Sequence, residues 1–468
     1  MSERLLRVVM TLAFYPRGGS AQVARYLTRA LEARGVGVTL CCGSLGCPGA
    51  SSHAGTFFAG LDVRPLDFTD AVARFEQGED PMTAPVPVHP SFEDRPGVPD
   101  RVFTSLDDTA YRRQVAVWRG LLDTVDRPHV YHVHHLTHVN DAVAALGDTP
   151  VVAHLHGTEL KMLDTIRSTG SRCGPHALAW QQRLRAAAQR ASRLVVVSAA
   201  DQALARELLG VDPDSIDVIH NGVDLARFTV DRPPVEQRLA WWRRWLVQDP
   251  QGWDTTGVPG SVSYSDGDLQ RHFIDPATGE ARPVLLYVGR FLAFKRVPLL
   301  IRAYARARTV LGSSAPPLVI WGGYPGEWEG DHPHSTAQAL GVDGVFFAGW
   351  RGHNDLPVAL NCADAFVAPS VDEPFGQVYL EAMACRLPVI ATRSGGPLSF
   401  INTNPTRPNG WLVTPDAEHE LADAIIAAVT DPIERDRRGS EGRTIAEQDY
   451  DWLQIAKKFK DIYRGLAT

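Results

Sequence analysis

The sequence predicts an α/β protein with parallel strands, long enough at 468 residues for two or three domains. Three observations carry this prediction. Leu5–Phe14 is a nearly continuous apolar run, the pattern of a strand buried on both faces. It leads through Gly18-Gly19 into helix-spaced Val23, Tyr26, Leu27, Ala30 and Leu31. A second strand–loop–helix passage starts at the apolar run Ala365–Ala368 and continues through Phe375-Gly376 to Val378, Tyr379, Ala382 and Met383. Between them, Val284–Val288 opens a fresh strand that runs into a basic loop and a helical stretch, Val297–Ala307.

Composition narrows the function classes. Apolar residues make up 44% and charged residues 22%, as in ordinary globular proteins, and a net charge of −7 gives no general drive toward nucleic acid or anionic membrane. The six cysteines show no zinc-ligand spacing and no secreted disulfide framework. No apolar run approaches the ~20 residues of a membrane span. Leu5–Tyr15 contains Arg7 and runs straight into Pro16-Arg17-Gly18-Gly19, so it reads as a first strand and not a signal peptide. A cytoplasmic location is expected.

In chain order, a helix is expected over Gln22–Ala33 and a strand over Val36–Cys41. Residues 67–108 hold ten acidic residues against three arginines, with many prolines. They read as a solvated surface excursion, or alternatively as an acidic rim for a cationic acceptor. Val130–His138 carries four histidines. On a strand His132 and His134 share one face and His135 takes the other, which suggests a strand end lined with imidazoles more than a metal site. A further strand, Val151–Leu155, delivers His156, Gly157 and Glu159 to its carboxyl end, the side of a parallel sheet that borders ligands. Ala177–Arg190 reads as a helix, Arg193–Val197 as a strand, and Ser198 as the N-cap of another helix. Residues 231–282 contain Trp241, Trp242, Trp245 and Trp253. Pro233–Leu246 has the pattern of an amphipathic helix, which could serve as a lid, a contact between copies or a capping helix; Gly252–Arg282 reads as loop with a hairpin. Tyr450–Leu466 is amphipathic.

The chemistry concentrates in the second half. The loop Asp372–Gly376 ends at a helix N-terminus, where free N–H groups favour an anion such as a diphosphate. Glu373 and Glu381 lie eight residues apart, one on the loop and one a turn into the helix, so both can border one ligand. Carboxylates are the usual partners of sugar or ribose hydroxyls. Arg290 and Lys295 follow the strand Val284–Val288 and can grip a diphosphate, Arg with a planar fork and Lys with a mobile charge.

The string DEPFGQVYLEAMACRLPVIAT (372–392) resembles the signature of retaining nucleotide-sugar glycosyltransferases of the GT-B fold, specifically glycosyltransferase family 4 (glycosyl transferases group 1). The resemblance extends to HGTE at 156–159, to IDVIHNGVD at 216–224 and to the GR…K phrase at 289–295, but not to 67–108 or 231–282. It implies two Rossmann-like domains with parallel sheets facing across a cleft. The first, 1–222, would bind the acceptor, with the helix 450–466 crossing back onto it. The second, 223–449, would bind the nucleotide-sugar and carries the insertion at 231–282. The resemblance further implies roles for individual residues. Glu373 would face the donor sugar, with His156 beside it, and Glu381 would hold the ribose. The backbone around Phe375, Gly376, Gln377 and Val378 would meet sugar and phosphates. Arg290 and Lys295, beside Gly289, would neutralise the leaving diphosphate, so no metal or other cofactor is expected. Trp350 and Arg351 would flank the nucleobase, and Gly18-Gly19 would lie near the donor phosphates. Three positions depart from the family: His220 replaces a usual proline, Arg386 a usual glycine and Ser399 a frequent glutamate.

The expected activity is transfer of a sugar, with retention, from a nucleoside diphosphate, UDP being the family's commonest, to a hydroxyl of a small acceptor. The acidic stretch suggests an aminocyclitol of an antibiotic pathway. The alternatives are a nucleotide-sugar epimerase, a pseudo-glycosyltransferase, or a non-catalytic carbohydrate-binding protein. No nucleic-acid or membrane-spanning partnership is expected, and the tryptophan-rich helix 233–246 offers a route to oligomers.

Overall fold

The computed structural model describes residues 5–93 and 97–467. The chain divides into two compact units, 1–222 with 452–468, and 223–451.

The first unit holds a seven-stranded, wholly parallel sheet. Its strands are β1 (Leu6–Leu12), β2 (Val36–Ser44), β3 (Asp62–Asp67), β4 (Val130–His134), β5 (Val151–His154), β6 (Arg193–Val196) and β7 (Ile216–Val218), in the order β3-β2-β1-β4-β5-β6-β7. The order reverses at β1/β4, the point where open α/β sheets build their ligand crevices. The helix Gly18–Ala33 starts four residues earlier than the apolar spacing predicts, because Gly18, at φ +68°, begins the first turn itself. The helix Trp452–Leu466 belongs to this unit. Trp452 stacks on Tyr26 at 6.1 Å, and Ile455, Phe459 and Tyr463 are fully buried in the same core as β1, β4 and β5.

The second unit repeats the architecture with β8 (Leu285–Gly289), β9 (Leu318–Gly322), β10 (Val345–Gly349), β11 (Ala365–Ala368), β12 (Val389–Thr392) and β13 (Gly410–Val413), ordered β10-β9-β8-β11-β12-β13 and again parallel. The two family departures within it are accommodated. Arg386 adopts the left-handed φ of +64° that a glycine would take, and its side chain is tied to Asp436 and Ser440, both at 3.0 Å. The Ser399 carbonyl accepts from the Tyr450 hydroxyl at 2.6 Å.

Two expectations require correction. Residues 67–108 are not a simple solvated excursion. Met82, Ala84, Val88, His89 and Phe103 are buried against the first unit's sheet, and the acids pair internally: Asp100 with Arg17, Asp80 with Arg101, Asp108 with Arg183. Residues 94–96 lie outside the described residues. The ground for a cationic acceptor therefore weakens, because these acids already pair with arginines of this chain, Asp100 in a buried pair and the other two at the surface. The insertion 231–282 is also more ordered than read. It forms the helix Val235–Arg243, a π turn at Arg244–Gln248 and a helix at Asp266–Phe273, where only loop and hairpin were expected. The capping box of Ser265 and Asp268 nucleates this last helix. Trp242, Trp245 and Trp253 turn inward, Trp245 edge-on to Trp321 of β9 at 5.0 Å. The tryptophans that suggested a contact between copies are thus largely used in covering the β10 edge, whose Phe347 N–H donates to Tyr264 Oη at 2.8 Å.

Candidate functional site

The second unit's site is built at the carboxyl ends of β8 and β11. After β8 the chain turns through exposed Arg290 and a 3₁₀ turn, Ala293–Lys295, and the Phe294 carbonyl accepts from the Val371 N–H of the loop after β11 at 2.8 Å. That bond draws the two loops together, and Lys295 Nζ forms an ion pair with Glu373. Both side chains are largely buried, at 16% and 10% exposure, so this is a shielded pair and not surface decoration.

The loop is held by backbone packing that only glycine permits. A Cβ on Gly396 would stand 2.4 Å from the Phe375 Cα and carbonyl oxygen, and the Gly396 N–H donates to the Glu373 carbonyl at 2.7 Å. Gly376, at φ +90°, then starts the helix Gln377–Ala384 with no side-chain cap. Glu381 is only 4% exposed and lies 3.3 Å from His353 Nε2, a neighbour that the motif does not signal. Phe375 is buried, while Gln377 and Val378 are partly exposed on the first turn. Arg290, Lys295, Glu373 and the helix start thus surround one end of the sheet, with Gly289 beneath them as the last residue of β8.

One predicted residue sits elsewhere. The Arg351 guanidinium, 5% exposed, points into the insertion, where it donates to the Trp245 carbonyl at 2.7 Å, to the Asp249 carboxylate at 2.9 Å and to the Asp249 carbonyl. It anchors the insertion. Trp350 remains 48% exposed, edge-on to Tyr324 at 5.7 Å.

In the first unit, Gly18 and Gly19 have nothing within 4 Å of where a Cβ would stand, so packing does not require them. His156 is half-buried and its Nε2 lies 2.8 Å from His134 Nδ1. Burial first, then the neighbouring imidazoles, hold it well below the usual histidine pKa, so it is neutral. Glu159 is completely buried. Burial alone would raise its pKa, but His135, 3.4 Å away, and the Thr158 hydroxyl outweigh that and keep it ionised. His135 itself is held at φ +66°, a strained conformation for a side chain with a Cβ. Strand pairing sets His134 of β4 opposite His154 of β5, a cluster that the sequence reading, confined to one strand, did not assemble.

The chain's second half, 270–445, matches the family model for glycosyl transferases group 1, and 17–227 matches that for glycosyltransferase family 4. It is 30% identical over 285 residues to alpha-maltose-1-phosphate synthase of Mycobacterium tuberculosis, a match spanning 59% of this chain and 63% of that one, so under two thirds of the relative's length. Among solved structures it resembles sucrose-phosphate synthase from Thermosynechococcus elongatus, with TM-score 0.67, 20% identity, and coverage of 98% and 99% of the two chains. It also resembles HepE from Anabaena in complex with UDP and glucose, with TM-score 0.64, 18% identity, and coverage of 98% and 99%.

Proposed function

Because the chain belongs to the glycosyl transferases group 1 family, with the GT-B fold, we propose that it transfers a sugar from a nucleoside-diphosphate donor to a hydroxyl of a small acceptor, with retention at the anomeric carbon. The observation that carries this reading is the shielded Lys295–Glu373 pair beside the start of the helix Gln377–Ala384. The pair brings a cation for phosphate and a carboxylate for sugar hydroxyls to one place. The similarity to HepE, solved with UDP and glucose, favours a UDP-sugar.

The difficult step is departure of the diphosphate as negative charge grows on its oxygens. On donor binding Lys295 turns from Glu373 to the phosphates, and Glu373 accepts hydrogen bonds from the sugar. Arg290 and the N–H groups after Gly376 meet the same phosphate charge, in surroundings where such donors are worth several kcal/mol. Two basic side chains fill the role a metal would take, so the transfer is assigned without one. Glu381, buried beside His353, accepts from the ribose. Neutral His156 is assigned a positioning hydrogen bond to the substrates. Retention follows when the leaving phosphate takes the acceptor's proton on the face it leaves, so no separate protein base is assigned. The acceptor is a small hydroxyl compound. An aminocyclitol remains a candidate, supported less by the acidic stretch now that Asp80, Asp100 and Asp108 pair with arginines of this chain.

Calorimetric titration with a panel of nucleoside diphosphates, without metal and then with magnesium, tests the reading. Metal-free binding of UDP that Arg290→Ala weakens at least about tenfold, some 1.4 kcal/mol, supports it. Absence of binding to every diphosphate, with or without magnesium, refutes it.

A further inference from the structure

We propose that the first unit binds one divalent ion of a late transition metal, of the zinc class, through His132, His134 and His154. The sheet creates the arrangement. His134 lies directly opposite His154 in the β4–β5 ladder, and His132 is two residues back on the same face. Each of the three can offer one ring nitrogen such that all three nitrogens lie within 4.8 Å of one another. Ligands at about 2.0–2.1 Å around a tetrahedral ion stand roughly 3.3 Å apart. His132 Nε2 and His154 Nδ1 are already 3.2 Å apart, and small rotations of His134 close the remainder.

The environment points the same way. The three rings are 0–1% exposed, in a core shared with Phe459 and Tyr463 of the helix Trp452–Leu466. Nε2 of His134 is buried with no hydrogen-bond partner. Orphaned polar atoms in a dry core are costly, and polar sites of this kind are expected to have an occupant. His132 Nδ1 is hydrogen-bonded to Tyr463 Oη, the outer contact that fixes the ring and tautomer of a metal-bound histidine. Imidazole ligands without thiolate or carboxylate suit zinc, cobalt or nickel and disfavour magnesium and calcium. The ion is structural: it ties β4 and β5 to the helix that carries Tyr463, and it takes no part in the sugar transfer proposed above.

The test uses the full chain, stripped with a chelator, reloaded with zinc or cobalt and desalted. Expected results are one zinc per chain by elemental analysis, visible d–d bands of a tetrahedral cobalt adduct, and a thermal midpoint raised by about 5 °C on zinc addition. His134→Gln and His154→Gln should each lose the ion and the zinc-dependent shift, whereas His332→Gln, in the second unit, should keep both. Loss of the ion in all three variants, or sub-stoichiometric zinc in the wild type, overturns the proposal. Should the two cluster variants fail to fold, X-ray absorption at the zinc edge of the wild type decides. A shell with at least three imidazoles supports the site, and an oxygen-dominated shell rejects it.

Discussion

Replacing Arg351 with alanine separates two roles that the family motif and the structure assign differently. The side chain is 5% exposed and donates to the carbonyls of Ala348, Trp245 and Asp249 and to the Asp249 carboxylate. The carboxylate itself is 56% exposed and can return to water, so that ion pair contributes at most about 1 kcal/mol. The two carbonyls of the insertion lose charge-assisted hydrogen bonds worth about 1.5–3 kcal/mol each. The sum is about 3–7 kcal/mol, or roughly 6 °C or more in the midpoint of a unit of about 230 residues, at ~2–4 °C per kcal/mol. Scanning calorimetry on wild type and variant reads the shift. UDP titration below the transition should show an affinity within about threefold of wild type. A midpoint shift under about 2 °C together with a tenfold loss of UDP affinity would refute the anchoring role and restore Arg351 to the nucleobase.

Trp350→Ala provides the contrast. The ring is half-exposed, so stability should hold within about 0.5 kcal/mol while UDP binding weakens if the base stacks there, both read in the same titration and melt. Gly396→Ala forces a Cβ to 2.4 Å from the Phe375 backbone and should displace the loop carrying Glu373, with more than about tenfold loss of donor affinity by calorimetry. Glu373→Gln keeps the shape but removes the charge, so kcat for donor turnover should fall about a hundredfold while UDP binding changes little. His138 is buried and desolvation, then His89, lowers its pKa to about 3. The unfolded chain therefore binds a proton below about pH 6.5 that the folded chain refuses until about pH 3. Between these limits wild type should lose about 1.4 kcal/mol per pH unit more than His138→Phe, measured by urea unfolding at pH 6, 5 and 4.

The fold was legible because parallel strands buried on both faces leave continuous apolar runs, as in Val8–Leu12 and Ala365–Ala368, and because glycines punctuate the turns that follow. The paired glutamates and the Arg290/Lys295 loop were legible because a short motif fixes both identity and spacing. Arg351 was not, since a motif places a backbone position and says nothing of where a long side chain finds its acceptors. Asp249, a hundred residues earlier in the insertion, decided that. The His132–His134–His154 cluster was half visible: alternation along β4 gave two members, but the third depends on the register between strands that are not local in sequence. The helix Asp266–Phe273 hid among Gly, Ser and Asp, although Ser265 followed three residues later by Asp268 was the available sign.

The helix Trp452–Leu466 completes the core begun by β1, yet some 230 residues of the second unit intervene in the chain. On a ribosome adding about 5–20 residues per second, the sheet of residues 6–218 waits roughly 10–45 s, with the faces of β4 and β5 uncovered, before Phe459 and Tyr463 emerge. The later unit can close on its own segment first. Newly made chains should thus pass through a stage in which the earlier-made half depends on chaperones and the later-made half does not.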